Sequence, residues 1–342
     1  MPVTCSQNDK PTIIPHMTLI LAALAPEYVV VGADRRLSDN GQSVEEESTK
    51  LTVLVTPDAR TVIAYTGIAR AGDFDTEHWI LDTLSRVSSA TPDLHSILEG
   101  LRSGAGMAVR QLAGTSPPDI RLTLLVAGFI YQRAAAEPLA WKITNWEHTG
   151  SGALTEEFQI ISYAPSPHDN MLLISAGNTS AVEGSDTQML EALLRRGIPA
   201  IGVEGKIHDI IRKASLSPLS RNTVGPQCNA CIVPRDTALR IAATYYSEHA
   251  TRNVYSVNTV LHDMITSGAL LQVGGSMPPA VVPKRGPNEP CSCGSEVKYQ
   301  RCHGALEYLY LPMTVALSYL KPSYPSGQSI VVESRGAAGR SK

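Results

Sequence analysis

Two groups of residues in this sequence of 342 have the types and spacing to do chemistry. The first is Cys291, Cys293, Cys302 and His303, three thiols and one imidazole within thirteen residues. Such a set can complete a tetrahedral shell around Zn2+, and a shell closed by four protein ligands leaves no open position for a substrate water, so the site reads as structural. A segment this short has no hydrophobic core of its own, so metal coordination would have to supply its folding free energy. The second group is Thr18, Asp34, Lys50 and Gly67: a hydroxyl, a carboxylate, an ammonium and a backbone position without a side chain. They act together only if the chain between them folds back on itself twice.

The intervening residues are built to do that. Thr18 to Leu24 and Tyr28 to Asp34 are apolar runs of strand length separated by Ala25-Pro26-Glu27, which is turn chemistry. Reflection about Pro26 sets Asp34 opposite Thr18. Leu51 to Thr56 and Thr61 to Thr66 form a second pair around Pro57-Asp58-Ala59-Arg60, and reflection there sets Lys50 opposite Gly67. The open ends of both hairpins then fall at one place.

Beyond Gly67 the apolar period changes from two to helical. Helices are predicted over 72–88 and 93–112, then strands over 121–131, 139–146, 157–163 and 171–175. Two further helices over 186–196 and 206–214 precede a strand over 228–233. Helices arriving in pairs between groups of strands predict an α+β fold, with helix layers on both outer faces of two stacked antiparallel sheets. Cys228 and Cys231 lie three apart on the last strand, where side chains point to opposite faces, and read as small core residues rather than a metal or redox pair. Residues 1–17, with three prolines and no periodicity, read as a disordered leader or propeptide.

The stretch from Thr18 to Gly67 resembles the start of the proteasome β-subunit and of the HslV-type peptidase, both N-terminal-nucleophile hydrolases. That family begins with Thr, continues into a valine-rich strand ending in Ala-Asp-Ser-Arg, and follows with a Lys and a small-Gly turn before a long helix. The counterparts are Thr18, Val29-Val-Val-Gly-Ala-Asp34-Arg35-Arg36, Lys50 and Thr66-Gly67, with sixteen residues from Thr18 to Asp34 and from Asp34 to Lys50. The resemblance implies an αββα four-layer sandwich over residues 18–275. It also implies amide hydrolysis in which Thr18 is the nucleophile and its own α-amine the base. Lys50 would lower the pKa of both groups, Asp34 would orient Lys50, and the Gly67 N–H would face the oxyanion. No cofactor takes part, and a homo-oligomer is expected. Thr18 becomes the first residue either by initiation at Met17 or by removal of a propeptide. The supporting serine expected near Ser175 to Thr179 has Asn178 or Thr179 as its substitute. In Ser220-Arg-Asn222-Thr-Val224-Gly225, Asn222 stands for a carboxylate and Val224 for a serine. These departures open a second reading, an inactive scaffold.

The C-terminal cluster, with its C-x-C-x8-C-H spacing and Asn288, Pro290, Gly294, Ser295, Lys298, Tyr299 and Gly304, resembles the SEC-C motif of the SecA translocation ATPase. The resemblance implies a zinc module over residues 286–304 that recruits a protein partner. A linker over 276–285 precedes it and a tail over 305–342 follows. A net charge of −3 and a pI near 6.3 give no electrostatic reason to expect nucleic acid. No apolar run is long enough to span a membrane. Met17 to Ala25 mimics a signal sequence, but its upstream flank carries only Lys10 as positive charge, and half the six cysteines sit in the metal-like cluster, so the cytoplasm is expected.

Overall fold

The computed structural model describes residues 13–261, apart from 17, 40–41, 47, 72, 91–92, 114–119, 133–134, 150–152, 167, 248–251 and 255–256. The expected linker, zinc module and tail, with Cys291, Cys293, Cys302 and His303, lie outside these residues. What is described is a mixed α+β fold with four α-helices.

The apolar runs at the start form β2 (Leu19–Leu24) and β3 (Tyr28–Asp34). Their alternate side chains serve two different cores. Ile20, Ala22, Leu24, Val29, Val31 and Ala33 face one way, and Leu19, Leu21, Ala23 and Val30 face the other. A strand buried on both faces must read as a continuous apolar run, which is why no polar alternation marks these two. β6 (Leu51–Val55) and β7 (Ala59–Ala71) form the second hairpin.

The strands gather into two large sheets. The six-stranded sheet runs β12 (Leu172–Gly177), β2, β3, β13 (Cys228–Pro234), β14 (Ala242–Tyr246), β15 (Arg252–Val254). The eight-stranded sheet runs β11 (Gln159–Tyr163), β10 (Ala135–Thr144), β9 (Leu122–Gln132), β7, β6, β16 (Asn258–Leu261). Two short strands, β1 (Ile13–His16) and β8 (Phe74–Asp75), also pair with β7. A separate ribbon joins β4 (Leu37–Asp39) to β5 (Gln42–Glu45).

Three apolar clusters order the layers. Between the sheets, the first face of β2 and β3 meets Leu51, Val53, Val62, Ala64, Leu125 and Phe129. On the outer face of the eight-stranded sheet, Ile63, Leu122, Leu124 and Val126 lie under α1 (Thr76–Ala90) and α2 (Leu94–Ala113), which contribute Ile80, Leu84, Ile97 and Leu101. On the outer face of the six-stranded sheet, Leu19, Leu21 and Val30 lie under α3 (Gly184–Arg195) and α4 (Ala200–Leu216), through Leu190, Val203, Ile207 and Ile211. Cys231 belongs to the cluster between the sheets and Cys228 to the one beneath α4, so the two thiols face opposite ways. Burial pushes both thiols up, so they stay protonated.

The structure differs from the sequence reading in three respects. First, both hairpins turn on two central residues, and their registers shift. Leu24 pairs with Val29 and Ile20 with Ala33, which puts Asp34 level with Leu19 rather than Thr18. Leu51 pairs with Ala64, so Gly67 lies further along β7 than the position facing Lys50. Second, residues 13–16 of the expected leader form β1, antiparallel to β7, with His16 paired to Gly67. Third, β16 joins β6 in parallel, so the eight-stranded sheet is not wholly antiparallel. Among the described residues, no helix is long and apolar enough to cross a membrane.

Candidate active site

The end of β3 delivers Asp34 into an interior from which water is excluded. Its carboxylate is fully buried and accepts three backbone N–H groups: Leu19 at 2.8 Å, Arg36 at 3.0 Å and Gly225 at 3.1 Å. Backbone donors aimed at a carboxylate are the compensation that burying a charge requires. Burial raises the carboxyl of Asp34 above its ordinary value, against the opposing pull of Lys50 and of those three amides.

Lys50, directly before β6, is among the largest fully buried side chains in the molecule. Its Nζ lies 2.6 Å from Thr18 Oγ1, 2.5 Å from the Arg36 carbonyl oxygen and 3.4 Å from Asp34 Oδ2. An ammonium has three N–H donors and no acceptor, and here three oxygens take all three. Burial lowers its pKa below the ordinary lysine value, and the Asp34 carboxylate pulls the other way, toward the charged ammonium. Thr18 Oγ1 thus lies in direct contact with the Lys50 amine group, whose ammonium form would stabilise an oxygen that loses its proton.

Thr18 is itself buried and held on its backbone side. Its carbonyl accepts the N–H of Asn178 at 3.0 Å and the hydroxyl of Thr66 at 3.2 Å, while its own N–H donates to Thr66 Oγ1 at 3.1 Å. Gly177, at φ +81°, makes this close approach possible: a Cβ there would fall 1.8 Å from the Thr18 carbonyl oxygen. Gly67 follows Thr66 in β7 at φ +102°, where a Cβ would fall 2.0 Å from the Arg121 carbonyl oxygen. A residue other than glycine is excluded there by both torsion and space.

Thr18, Asp34 and Lys50 thus meet as the sequence pattern predicts, and Gly67 reaches the cluster through its neighbour Thr66. The Asn178 side chain is engaged elsewhere, donating to the Leu219 and Ser220 carbonyls and to Thr223 Oγ1. The hydroxyl on Thr18 N comes instead from β7. Asn222, at φ 61°, offers its carbonyl to the Arg36 guanidinium, as does Val224, and Arg36 also pairs with Glu46 at 2.8 Å. This stapled loop carries Gly225 onto Asp34 through its backbone, and the buried Val224 side chain packs into the cluster beneath α3 and α4. The roles of Thr66, Arg36 and Gly225 were missed from sequence because two act through backbone atoms and the third is the small residue beside the turn glycine.

Among the described residues, no group of three or more His, Cys, Asp or Glu could hold a metal ion. The SEC-C motif family model matches residues 288–305, a span that contains Cys291, Cys293, Cys302 and His303. No curated protein matches the chain. Solved structures similar to it include Anbu chains. A helical assembly of the Anbu complex from Pseudomonas aeruginosa is 16% identical at TM-score 0.46, covering 67% of this chain and 87% of that one. Anbu (ancestral beta-subunit) from Yersinia bercovieri is 15% identical at TM-score 0.40, covering 63% and 81%. A Gly-1 mutant of Anbu from Hyphomicrobium sp. strain MC1 is 15% identical at TM-score 0.42, covering 66% and 87%. The resemblance read from residues 18–67 is corrected accordingly: it named the proteasome β-subunit and the HslV-type peptidase, whereas these similar structures are Anbu (ancestral beta-subunit) chains.

Proposed function

We propose that this chain is a threonine-type amidohydrolase or peptidase that cleaves amide bonds with Thr18 as its nucleophile, acting once Thr18 is the first residue. The observation that carries the reading is the 2.6 Å contact between the buried Lys50 ammonium and Thr18 Oγ1, with Asp34 behind it. Surface lysines pair for solubility, but a lysine this deeply buried is held there at a large desolvation cost, and its nearest partners include a neutral hydroxyl.

In this mechanism Thr18 Oγ attacks the scissile carbonyl while the free α-amine, whose ordinary pKa is about 8, takes the hydroxyl proton, directly or through a water. Lys50 stabilises the oxygen as it loses its proton, and the Gly67 N–H faces the oxyanion of the tetrahedral intermediate. The intermediate collapses to an ester on Thr18, and the departing amine carries off the proton. Water then attacks the ester and releases the acid. No metal or cofactor enters these steps.

The remaining assignments belong to the same proposal. Residues 1–17 form a leader, residues 18–275 the hydrolase unit, 276–285 a linker, 286–304 the zinc module and 305–342 a tail. Three thiolates and an imidazole suit tetrahedral zinc in donor type and number, and the metal would hold the module's fold. The module would take a protein partner, and the chain would work in the cytoplasm. A homo-oligomer belongs to the same proposal. Light scattering that finds only monomer at micromolar concentration would overturn that part.

One observation favours a second reading, an inactive scaffold that recruits its partner through the zinc module. In the chain as described, Thr18 N is an amide and β1 pairs along β7 as far as Gly67. The deciding experiment uses protein with a verified Thr18 terminus. It should hydrolyse small amide reporters and bond covalently to a threonine-directed electrophile, and Thr18→Ala should abolish both without unfolding. Absence of both in the trimmed protein leaves the scaffold reading in place.

A further inference from the structure

We propose that Thr66 is the positioning residue for the Thr18 α-amine: its hydroxyl holds the proton that the amine takes from the nucleophile. The proposal rests on the reading of Thr18 as an N-terminal nucleophile, and it places a further group in the reaction.

The argument is one of donors and acceptors. A threonine hydroxyl has one proton and two lone pairs. The Thr66 proton is directed at the Thr18 carbonyl oxygen, 3.2 Å away, so toward Thr18 N, 3.1 Å away, it presents a lone pair. When Thr18 is the first residue, that nitrogen is an amine. Its neutral form needs no acceptor there, but the ammonium formed during attack does, and a hydrogen bond to the charged form raises basicity. Thr66 is 1% exposed in the chain that still carries β1 alongside β7. Gly177 keeps the space open, since a Cβ at that position would lie 2.6 Å from Thr66 Oγ1. Asn178 meets Thr18 only through its backbone N–H, on the carbonyl.

Charges from every neighbouring element bear on the same amine. Lys50, before β6, opposes its protonation, and Asp34, at the end of β3, favours it. Glu147, bound to the Gly177 N–H and paired with Lys142, also favours it. Arg36 is already paired with Glu46, and Arg121 lies over Trp146 beside β9. All of these stay in place when Thr66 alone is changed.

The test uses chains beginning at Thr18, labelled with 15N-threonine, in which the α-amine is titrated directly by NMR and kcat/KM is followed with pH. Thr66→Val keeps the shape and removes the hydroxyl; the proton affinity of the amine should fall about tenfold. The acid limb of the kcat/KM profile should move to lower pH by the same factor. Thr66→Ser should restore both. Should valine crowd Thr18, Thr66→Ala reads the same titration in a smaller side chain. An amine that titrates identically with and without the hydroxyl, or a serine variant that behaves like valine, overturns the proposal. The titration needs no turnover, so a shifted amine in a chain that never hydrolyses a reporter would sink the hydrolase reading while leaving the hold of Thr66 on the amine intact.

Discussion

Lys50 and Asp34 illustrate how little freedom a buried charge leaves its neighbours. Each is fully enclosed, and each has its hydrogen-bonding capacity met by groups that are themselves fixed. Removing one partner strands the other, so Lys50→Ala should cost about 3–5 kcal/mol of stability, much of it from the uncompensated Asp34 carboxylate. Asp34→Asn in the same chain should recover part of that loss, because the second charge goes with the first. Activity separates the two effects: the double variant should remain at least about a hundredfold below the parent in reporter turnover, since the positive charge on Thr18 Oγ1 is still missing. Urea unfolding and reporter kinetics on the three chains check this. If activity returns along with stability, Lys50 acts as a structural group only.

The elements beneath these residues were legible to different degrees. β2, β3, β6 and β7 stand out because apolar strand-length runs flank proline turns, and short hairpins leave few alternatives. Their registers were misjudged because Pro26-Glu27 and Pro57-Asp58 each close a turn by themselves, through Ala25 N–H to Tyr28 O and Thr56 N–H to Ala59 O. β1 and β14 to β16 went unread: three of the four are four residues or fewer, and what makes them strands is the edge they pair with. Within the site, what the local pattern could not show lies far apart in sequence, as with Gly225 and Asp34. The helices add an independent test. Asp186 on α3 accepts Lys206 Nζ at 2.6 Å and Lys213 Nζ at 3.0 Å, both from α4. Burial alone would raise its carboxyl, but the two lysines outweigh it and the folded pKa lies below the ordinary 3.8. A depressed carboxyl stabilises the fold above its unfolded pKa, and that contribution is lost as pH falls through the folded value. Asp186→Asn should therefore lower the urea midpoint at pH 7 by roughly 0.3 M and flatten the acid-side fall in stability below about pH 4. An unchanged acid limb would show that the two lysines do not hold α3 to α4.

At the scale of the molecule, the described sheet-and-helix body ends at residue 261 and the SEC-C motif matches residues 288–305. Purified protein should carry close to one zinc per chain by elemental analysis. Cys291→Ser or His303→Ala should release the metal and expose residues 286–304 to proteolysis without moving the unfolding midpoint of the body. A metal-free preparation whose C-terminal region stays protected would remove zinc from the account. The body itself has a property that follows from where its last strands attach. Gly225 donates to Asp34 across 191 positions of chain. β13 closes the flank of β3, and β16 closes the outer edge of the strand that follows Lys50. During synthesis Thr18, Asp34 and Lys50 leave the ribosome early, yet Gly225, β13 and β16 follow only 191 or more residues after Asp34. A nascent chain or a truncated product ending before residue 225 carries the reactive residues without the clamp. On the proposed function, chemical competence would arrive only with the finished body, so that a half-made chain would not act as a hydrolase.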